Sequence, residues 1–148
     1  MPIRKSFIHN FCDASKDAYA AVSYLVQEAD DKNGHFLASR SRIAPLKSAT
    51  IPRFELLAAL VGARLTKSVV DALGWTTDKS SYWSDSTTVL IWITKEENWS
   101  VFVNNRVQEI GKISLPSAWR HVSGVGNPAD LPSRGCKASY LVPPKIWF

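Results

Sequence analysis

The chain has 148 residues, of which 45% are hydrophobic and 21% are charged, with a formal net charge of +5. This length suits one core of ordinary size, and we expect a single domain over residues 1–148. An aromatic fraction of 11% argues against a disordered chain, and no apolar run reaches the roughly 20 residues of a membrane-spanning helix. The positive charge suits a polyanionic partner such as nucleic acid, although it also serves solubility alone.

Three strands are predicted in the first third of the chain. Alternating apolar and polar residues predict strands over Ser6–Cys12 and His35–Ile43, and a run of β-branched and aromatic residues predicts another over Ala20–Gln27. The sequence DDKNG at Asp30–Gly34 favours a turn between the second and third of them. Consecutive strands joined by short connections indicate an antiparallel, three-stranded start.

The hydrophobic period changes from strand to helix at residue 50. Apolar residues recur at helical spacing from Leu56 to Leu73, with Thr50 as the N-cap and Gly74 as the stop. The remaining elements are predicted as a strand over Ser81–Ser84, a helix capped by Asp85 or Ser86, a helix over Trp99–Ile113, a strand over Ala118–Val122 and a short helix from Asn127. Strands first paired as hairpins and then separated by helices predict a mixed sheet covered by helices.

The cysteines and histidines do not form a recognisable metal site. Cys12 and Cys136 lack the CxxC spacing of a zinc half-site and are too few for a disulfide framework, and the three histidines are scattered. The N-terminus lacks a basic-then-apolar signal pattern, so we expect an intracellular, cytoplasmic protein. A metal site in this chain therefore has to rest on oxygen ligands.

Four acidic residues stand where local structure changes type. Their contexts are FCDAS for Asp13, RFELLA for Glu55, WSDST for Asp85 and NPADLPSR for Asp130. Strand ends and element boundaries of this kind often carry functional groups on a rigid scaffold. Each acid also has an ordinary alternative as a turn cap, a helix cap or a solvated first-turn acid.

The predicted long helix carries small side chains on the face around Glu55. Ala58, Ala59 and Gly62 leave a shallow strip on which another backbone can pack closely, which predicts that Glu55 lies near the sheet. Several carboxylates gathered there would repel one another unless cations neutralise them. Mg²⁺ prefers oxygen ligands, and two ions about 3.5–4 Å apart can activate water and stabilise the leaving oxygen of a phosphodiester.

The order of these motifs resembles a known family. FCDAS, RFELLAALVGARL, WSDSTTVLIWI and WRHVSGVGNPADLPSRG together resemble the ribonuclease H region of BEL/Pao long-terminal-repeat retrotransposon polyproteins. The resemblance runs from about Phe7 to the C-terminus and includes the tail GCKASYLVPPKIWF. Single segments are not specific, but four of them in order are strong support.

The resemblance implies the ribonuclease H-like α/β fold, a five-stranded mixed sheet with three antiparallel strands first, flanked by helices. It implies that the catalytic and metal-binding residues are Asp13, Glu55, Asp85 and Asp130, with two Mg²⁺ ions as cofactors and Mn²⁺ as the alternative. The implied activity is hydrolysis of the RNA strand of RNA/DNA hybrids during reverse transcription in a cytoplasmic retroelement particle. The implied partners are the hybrid and the reverse transcriptase and integrase segments of a parent polyprotein, with no membrane.

Residues beside the acids are candidates for assisting catalysis and holding the substrate. By position, His121 matches a histidine that assists product release or proton transfer in many ribonucleases H, and an ordinary hydrogen-bonding role is the alternative. Small polar groups can detect the 2′-hydroxyls of an RNA strand, and the candidates, which also suit capping, are Ser15, Ser86 and Thr87. Candidates for phosphate contacts, which also suit plain solvent exposure, are Arg53, Arg120 and Arg134.

Three rival functions remain for comparison. An inactive nucleic-acid-binding remnant would keep the fold, but acids are present at all four positions. An aspartic peptidase needs an Asp-Thr/Ser-Gly triplet, and the glycine is missing after both Asp85-Ser86 and Asp13-Ala14. In integrase-type nucleases the helix-borne glutamate comes last among the acids, whereas Glu55 comes second.

Overall fold

The computed structural model describes residues 6–15, 18–27, 34–43, 50–75, 80–123 and 127–129. The elements along them are β1 (Ser6–Ala14), β2 (Ala18–Gln27), β3 (Gly34–Ile43), α1 (Ile51–Leu73), β4 (Ser80–Ser84), α2 (Thr87–Thr94), α3 (Val101–Ile113) and β5 (Trp119–His121). A 3-10 turn over Pro116–Ala118 precedes β5. No helix in this part of the chain is both long and apolar enough to cross a membrane.

Some boundaries differ from the sequence prediction. β1 continues past Cys12 to Ala14, so Asp13 is the second-to-last residue of the strand and does not follow its end. The Ser100 hydroxyl caps α3, so that helix begins at Val101 and not at Trp99. The short helix predicted from Asn127 falls, apart from a turn at residues 128–129, outside the described residues.

The sheet has the order β3-β2-β1-β4-β5. β1 pairs with β2 and β2 with β3 in antiparallel fashion, whereas β4 runs parallel to both β1 and β5. The long crossover through α1 places β4 beside β1, at the centre of the sheet. Because β1, β4 and β5 are parallel, their carboxyl ends meet at one edge.

α1 packs on the sheet through its small residues. Ala58, Ala59 and Ala63 are fully buried, and a Cβ atom at Gly62 would lie 2.5 Å from Cys12 Sγ. Such close approach requires glycine at this position, because any larger residue would push the helix away from β1. The predicted strip of small residues is thus the contact between α1 and the sheet.

The opposite face of the sheet carries a second apolar cluster. Phe11 and Tyr24 are buried there together with Ala129, which is fully buried. Trp83 stacks on Phe11 with ring centroids 6.1 Å apart. Asn127 Nδ2 donates to the Cys12 carbonyl oxygen at 2.9 Å, so the chain returns to β1 after β5.

His9 is a buried titratable group on this second face. Its side chain is 4% exposed, and its Nδ1 accepts a hydrogen bond from Trp83 Nε1 at 3.0 Å. Burial, and to a lesser extent the positive charge of Arg120, together lower the pKa of His9 from 6.5 to about 4. The imidazole is therefore neutral in the folded protein at neutral pH.

We expect acid to destabilise the fold through His9. Below its ordinary pKa of 6.5 the unfolded chain binds a proton that the folded chain refuses until about pH 4, so stability falls as the pH drops through this window. The loss between about pH 6.5 and about pH 5 should be about 2 kcal/mol. Denaturant unfolding of the wild type and His9→Gln across this range measures it. The variant should show a flatter pH dependence, and parallel curves would contradict the assignment.

Candidate active site

The carboxyl ends of β1, β4 and β5 form one row of residues at the sheet edge. Cys12 pairs with Ser84, and Ser84 pairs with His121. Asp13 and Asp85 each come one residue after the paired Cys12 and Ser84, on strands that lie about 4.8 Å apart. Asp13 is buried and Asp85 is half-buried. The backbone positions of two of the predicted acids are thus adjacent on neighbouring strands.

Glu55 approaches the same edge from α1. It lies seven residues before Gly62, which is two helical turns, so both residues share the face that packs on the sheet. Burial raises the pKa of the Glu55 carboxyl above its usual range; a hydrogen bond from Ser86 opposes the rise, and the negative charge of Asp85 adds to it. Glu55 therefore lies close to the start of α2.

Asp13 and Glu55 reach this edge on different elements, β1 and α1. Cys12, the residue before Asp13, faces α1. Asp85 adjoins both, because it follows the residue paired with Cys12 and its charge acts on Glu55. The three acids thus occupy neighbouring positions around the ends of two central strands.

Asp130, the fourth predicted acid, lies outside the described residues. The residue just before it, Ala129, is fully buried in the apolar cluster that contains Phe11. Asn127 holds this segment through two hydrogen bonds, donating to the Cys12 carbonyl oxygen at 2.9 Å and accepting from the Ala129 amide at 3.0 Å. Sequence reasoning treated Asn127 only as a helix cap and missed this link to the end of β1.

The acids offer a donor set for a hard cation. Within the ranges that the structure describes, no group of three or more Asp, Glu, His or Cys residues is arranged to hold a metal ion. In chemistry, however, the side chains of Asp13, Glu55 and Asp85 fit Mg²⁺, because all of them present carboxylate oxygens. The raised pKa of Glu55 reflects uncompensated burial and negative charge, which a divalent cation would relieve. The convergence of four acids on a metal pair stays a prediction.

The small polar candidates have local structural partners. Ser15 closes the turn between β1 and β2, with its amide donating to the Ala18 carbonyl at 2.8 Å and its hydroxyl accepting from the Ala18 amide at 3.2 Å. The Ser86 hydroxyl caps α2 by accepting from the Val89 amide at 3.2 Å. Thr87 is exposed at the first position of α2. The capping alternative thus applies to the two serines, and a contact of any of the three with substrate stays a prediction.

The basic candidates occupy different places. Arg53 lies on α1 two residues before Glu55, with its guanidinium 4.9 Å from the Phe102 ring centroid. Arg120 is exposed on β5, with its guanidinium 6.0 Å from the ring of Trp83. His121 is exposed at the end of β5, where it pairs with Ser84, the residue before Asp85. Arg134 falls outside the described residues.

A family model described as a Pao retrotransposon-like RNaseH-like domain matches residues 2–86 of this chain. The chain belongs to this family. The matched segment of this Pao retrotransposon-like domain contains Asp13, Glu55 and Asp85 and ends before Asp130. No curated protein matches the sequence.

Solved ribonucleases H share the architecture of this Pao retrotransposon-like domain. RNase H1 from the halophilic archaeon Halobacterium salinarum NRC-1 matches with a TM-score of 0.55 and 15% identity, over 84% of this chain and 89% of that one. The N-terminal RNase H domain of Rv2228c from Mycobacterium tuberculosis gives 0.55 and 12%, over 84% and 86%. LC11-RNase H1, isolated from compost by a metagenomic approach and solved in complex with an RNA/DNA hybrid, gives 0.56 and 15%, over 85% and 91%. At these identities the likeness establishes the fold, and the predicted ribonuclease H-like fold is confirmed.

Proposed function

We propose that this domain is a ribonuclease H that hydrolyses the RNA strand of RNA/DNA hybrids during reverse transcription of a retroelement. The observation that carries the proposal is the position of Asp13 and Asp85 at the ends of neighbouring parallel strands. Glu55 on α1 is close enough for the charge of Asp85 to contribute to the rise of its pKa, which burial mainly causes. Family membership supports the retroelement setting. The hybrid bound to LC11-RNase H1, which shares the fold, supports the substrate class.

The proposed catalytic residues hold a pair of Mg²⁺ ions, with Mn²⁺ as the alternative. They are Asp13, Glu55, Asp85 and Asp130. When bound, the ions supply an activated water and stabilise the leaving oxygen of the phosphodiester. The chain itself supplies the negative charge, at an edge where Asp85 is half-buried and Thr87 and His121 are exposed.

The fold holds the backbone that carries the three described acids in regular, paired or capped structure. Asp13 stands on β1, which is paired on both sides, by β2 and β4. Asp85 is held between two serines, because the Ser86 amide donates to the Ser84 hydroxyl at 3.1 Å while the Ser86 hydroxyl caps α2. Glu55 is fixed by the packing of α1 on the sheet. Such preorganised groups need little rearrangement at the moment of reaction.

His121 has a proposed part in proton transfer. It is exposed and stands beside Ser84, in the row of residues just before the two aspartates. An imidazole in this place can exchange protons with the phosphodiester or the departing product. In this proposal Ser15, Ser86 and Thr87 face the sugar edge of the substrate, and Arg53, Arg120 and Arg134 face its phosphates.

A substrate panel tests the proposal. The purified chain is incubated with labelled RNA/DNA hybrid, duplex DNA and duplex RNA, each with Mg²⁺, with Mn²⁺ and with chelator. We expect cleavage of the hybrid only, and only when a divalent ion is present, because the carboxylates need a cation to act. Binding of the hybrid without cleavage in either metal would instead support the competing function, a nucleic-acid-binding remnant. Cleavage that survives the chelator would remove metal from the mechanism.

A further inference from the structure

Two arginines from different helices lie over one aromatic ring beside the candidate active site. The ring is that of Phe102 in the first turn of α3, and the Arg106 guanidinium carbon lies 4.1 Å from its centroid. The Arg53 guanidinium carbon, from α1, lies 4.9 Å from the same centroid. All three side chains are half-buried. Arg53 lies two residues before Glu55, about 3 Å along the axis of α1, so the cluster is at the same end of α1 as Glu55.

Among the residues that the structure describes, neither Arg53 nor Arg106 forms a direct ion pair. The acid beside them, Glu109, binds Arg64 through two hydrogen bonds of 2.5 and 2.8 Å. This pairing is the main cause that lowers the pKa of Glu109, and the charge of Arg106 contributes less. The first turns of α1 and α3 contain no acidic residue, and helix N-termini carry positive partial charge. Two guanidinium groups on one ring repel each other unless an anion lies beside them.

The cation–π arrangement suits phosphate recognition. A guanidinium held over an aromatic ring keeps N–H donors that its contact with the ring does not use. Arg106 uses one of its five donors on the Phe102 carbonyl oxygen at 3.3 Å. The remaining donors match the oxygens of a phosphate, with which arginine forms paired hydrogen bonds.

We propose that Arg53, Phe102 and Arg106 form a phosphate clamp that holds the backbone of the hybrid next to the carboxylates. The arginines contact the phosphates, and Phe102 positions both of them. This inference rests on the proposed function and extends it, because it makes α3 a substrate-binding surface. Sequence reasoning considered Arg53 alone and had no signal for its two partners on α3.

The salt dependence of hybrid binding tests the clamp. Affinity is measured with RNA/DNA hybrid in chelator, between about 50 and 200 mM salt, for the wild type, Arg53→Gln and Arg106→Gln. A protein that makes one phosphate contact fewer releases one counterion fewer on binding. Each substitution should therefore make the negative slope of log affinity against log salt shallower by about 0.9, and it should weaken binding most at low salt. Arg106→Lys keeps the charge and should keep most of the slope.

The matched control is the double variant Lys67→Gln/Asp71→Asn. It removes an exposed ion pair from α1, the helix that carries Arg53, without changing the net charge, so the slope should not change even if the thermal midpoint falls. The clamp is overturned if Arg53→Gln and Arg106→Gln alter only the thermal midpoint and keep the wild-type slope. A wild type that fails to bind hybrid in chelator overturns both the clamp and its substrate. A steep wild-type slope that neither variant reduces overturns the clamp alone.

An uncharged methylphosphonate placed in either strand then identifies the contacted strand. The position at which the modification no longer weakens binding of Arg106→Gln, although it weakens binding of the wild type, marks the phosphate in the clamp. Additive losses at every modified position of both strands would contradict a direct contact.

Discussion

Replacing Asp85 by asparagine is expected to reduce hybrid cleavage about a thousandfold. Asparagine keeps the size of the side chain and removes one of the negatively charged oxygens that the proposed metal pair requires. A thousandfold loss corresponds to about 4 kcal/mol of transition-state stabilisation, which is reasonable for a direct ligand of a catalytic metal. Single-turnover cleavage in Mg²⁺ measures the effect.

The fold and the binding of hybrid should survive the Asp85→Asn change. The charge of Asp85 raises the pKa of Glu55, so its removal relieves repulsion and should leave the thermal midpoint equal or higher without metal. Hybrid affinity in chelator should hold or increase, because less negative charge faces the phosphates. Asp71→Asn is the matched control, since Asp71 is exposed on α1 and pairs only with Lys67 among described residues, at 3.5 Å. Undiminished cleavage by the Asp85 variant would remove this residue from the mechanism.

Gly62→Ala is expected to destabilise the fold by about 3 kcal/mol, near the upper end of the cost of overpacking. The added Cβ would lie 2.5 Å from Cys12 Sγ, and the Cys12 side chain is enclosed in the core. Relief requires α1 to move away from β1, which also displaces Glu55 from the end of β4. Cleavage should therefore fall together with the free energy of unfolding.

A double variant identifies the cause of this loss. Cys12→Ala removes the sulfur that the new methyl group meets, so Gly62→Ala in that background should cost much less than in the wild type. Gly111→Ala is the matched control on α3, because its Cβ would meet nothing within 4 Å. Alanine there should stabilise the exposed helix by about 0.5–1 kcal/mol. Equal costs of Gly62→Ala with and without Cys12 would contradict the close contact.

Local patterns were sufficient to predict the elements and their order. Alternation in β1 and β3, the helical period from Leu56 and the small residues around Gly62 each reflect a physical demand of one element on its own sequence. The parallel pairing of β4 with β1 follows less directly, because it depends on the crossover through α1. The resemblance to BEL/Pao ribonucleases H supplied that topology.

Contacts between distant elements were harder to predict. The Phe102 ring joins Arg53 to Arg106 across about fifty residues of sequence, and no local period marks such a meeting. Asn127 reaches the Cys12 carbonyl oxygen from the other end of the chain. These details depend on how whole elements pack.

The central claim is that the carboxylates around the ends of β1 and β4 make this domain a ribonuclease H. The most direct measurement uses one RNA/DNA hybrid with a different label on each strand, incubated with the purified chain in Mg²⁺. We predict that the RNA strand is cut within the duplex, that the DNA strand stays intact, and that chelator stops the reaction. An uncut RNA strand, or equal cleavage of both strands, would contradict the claim.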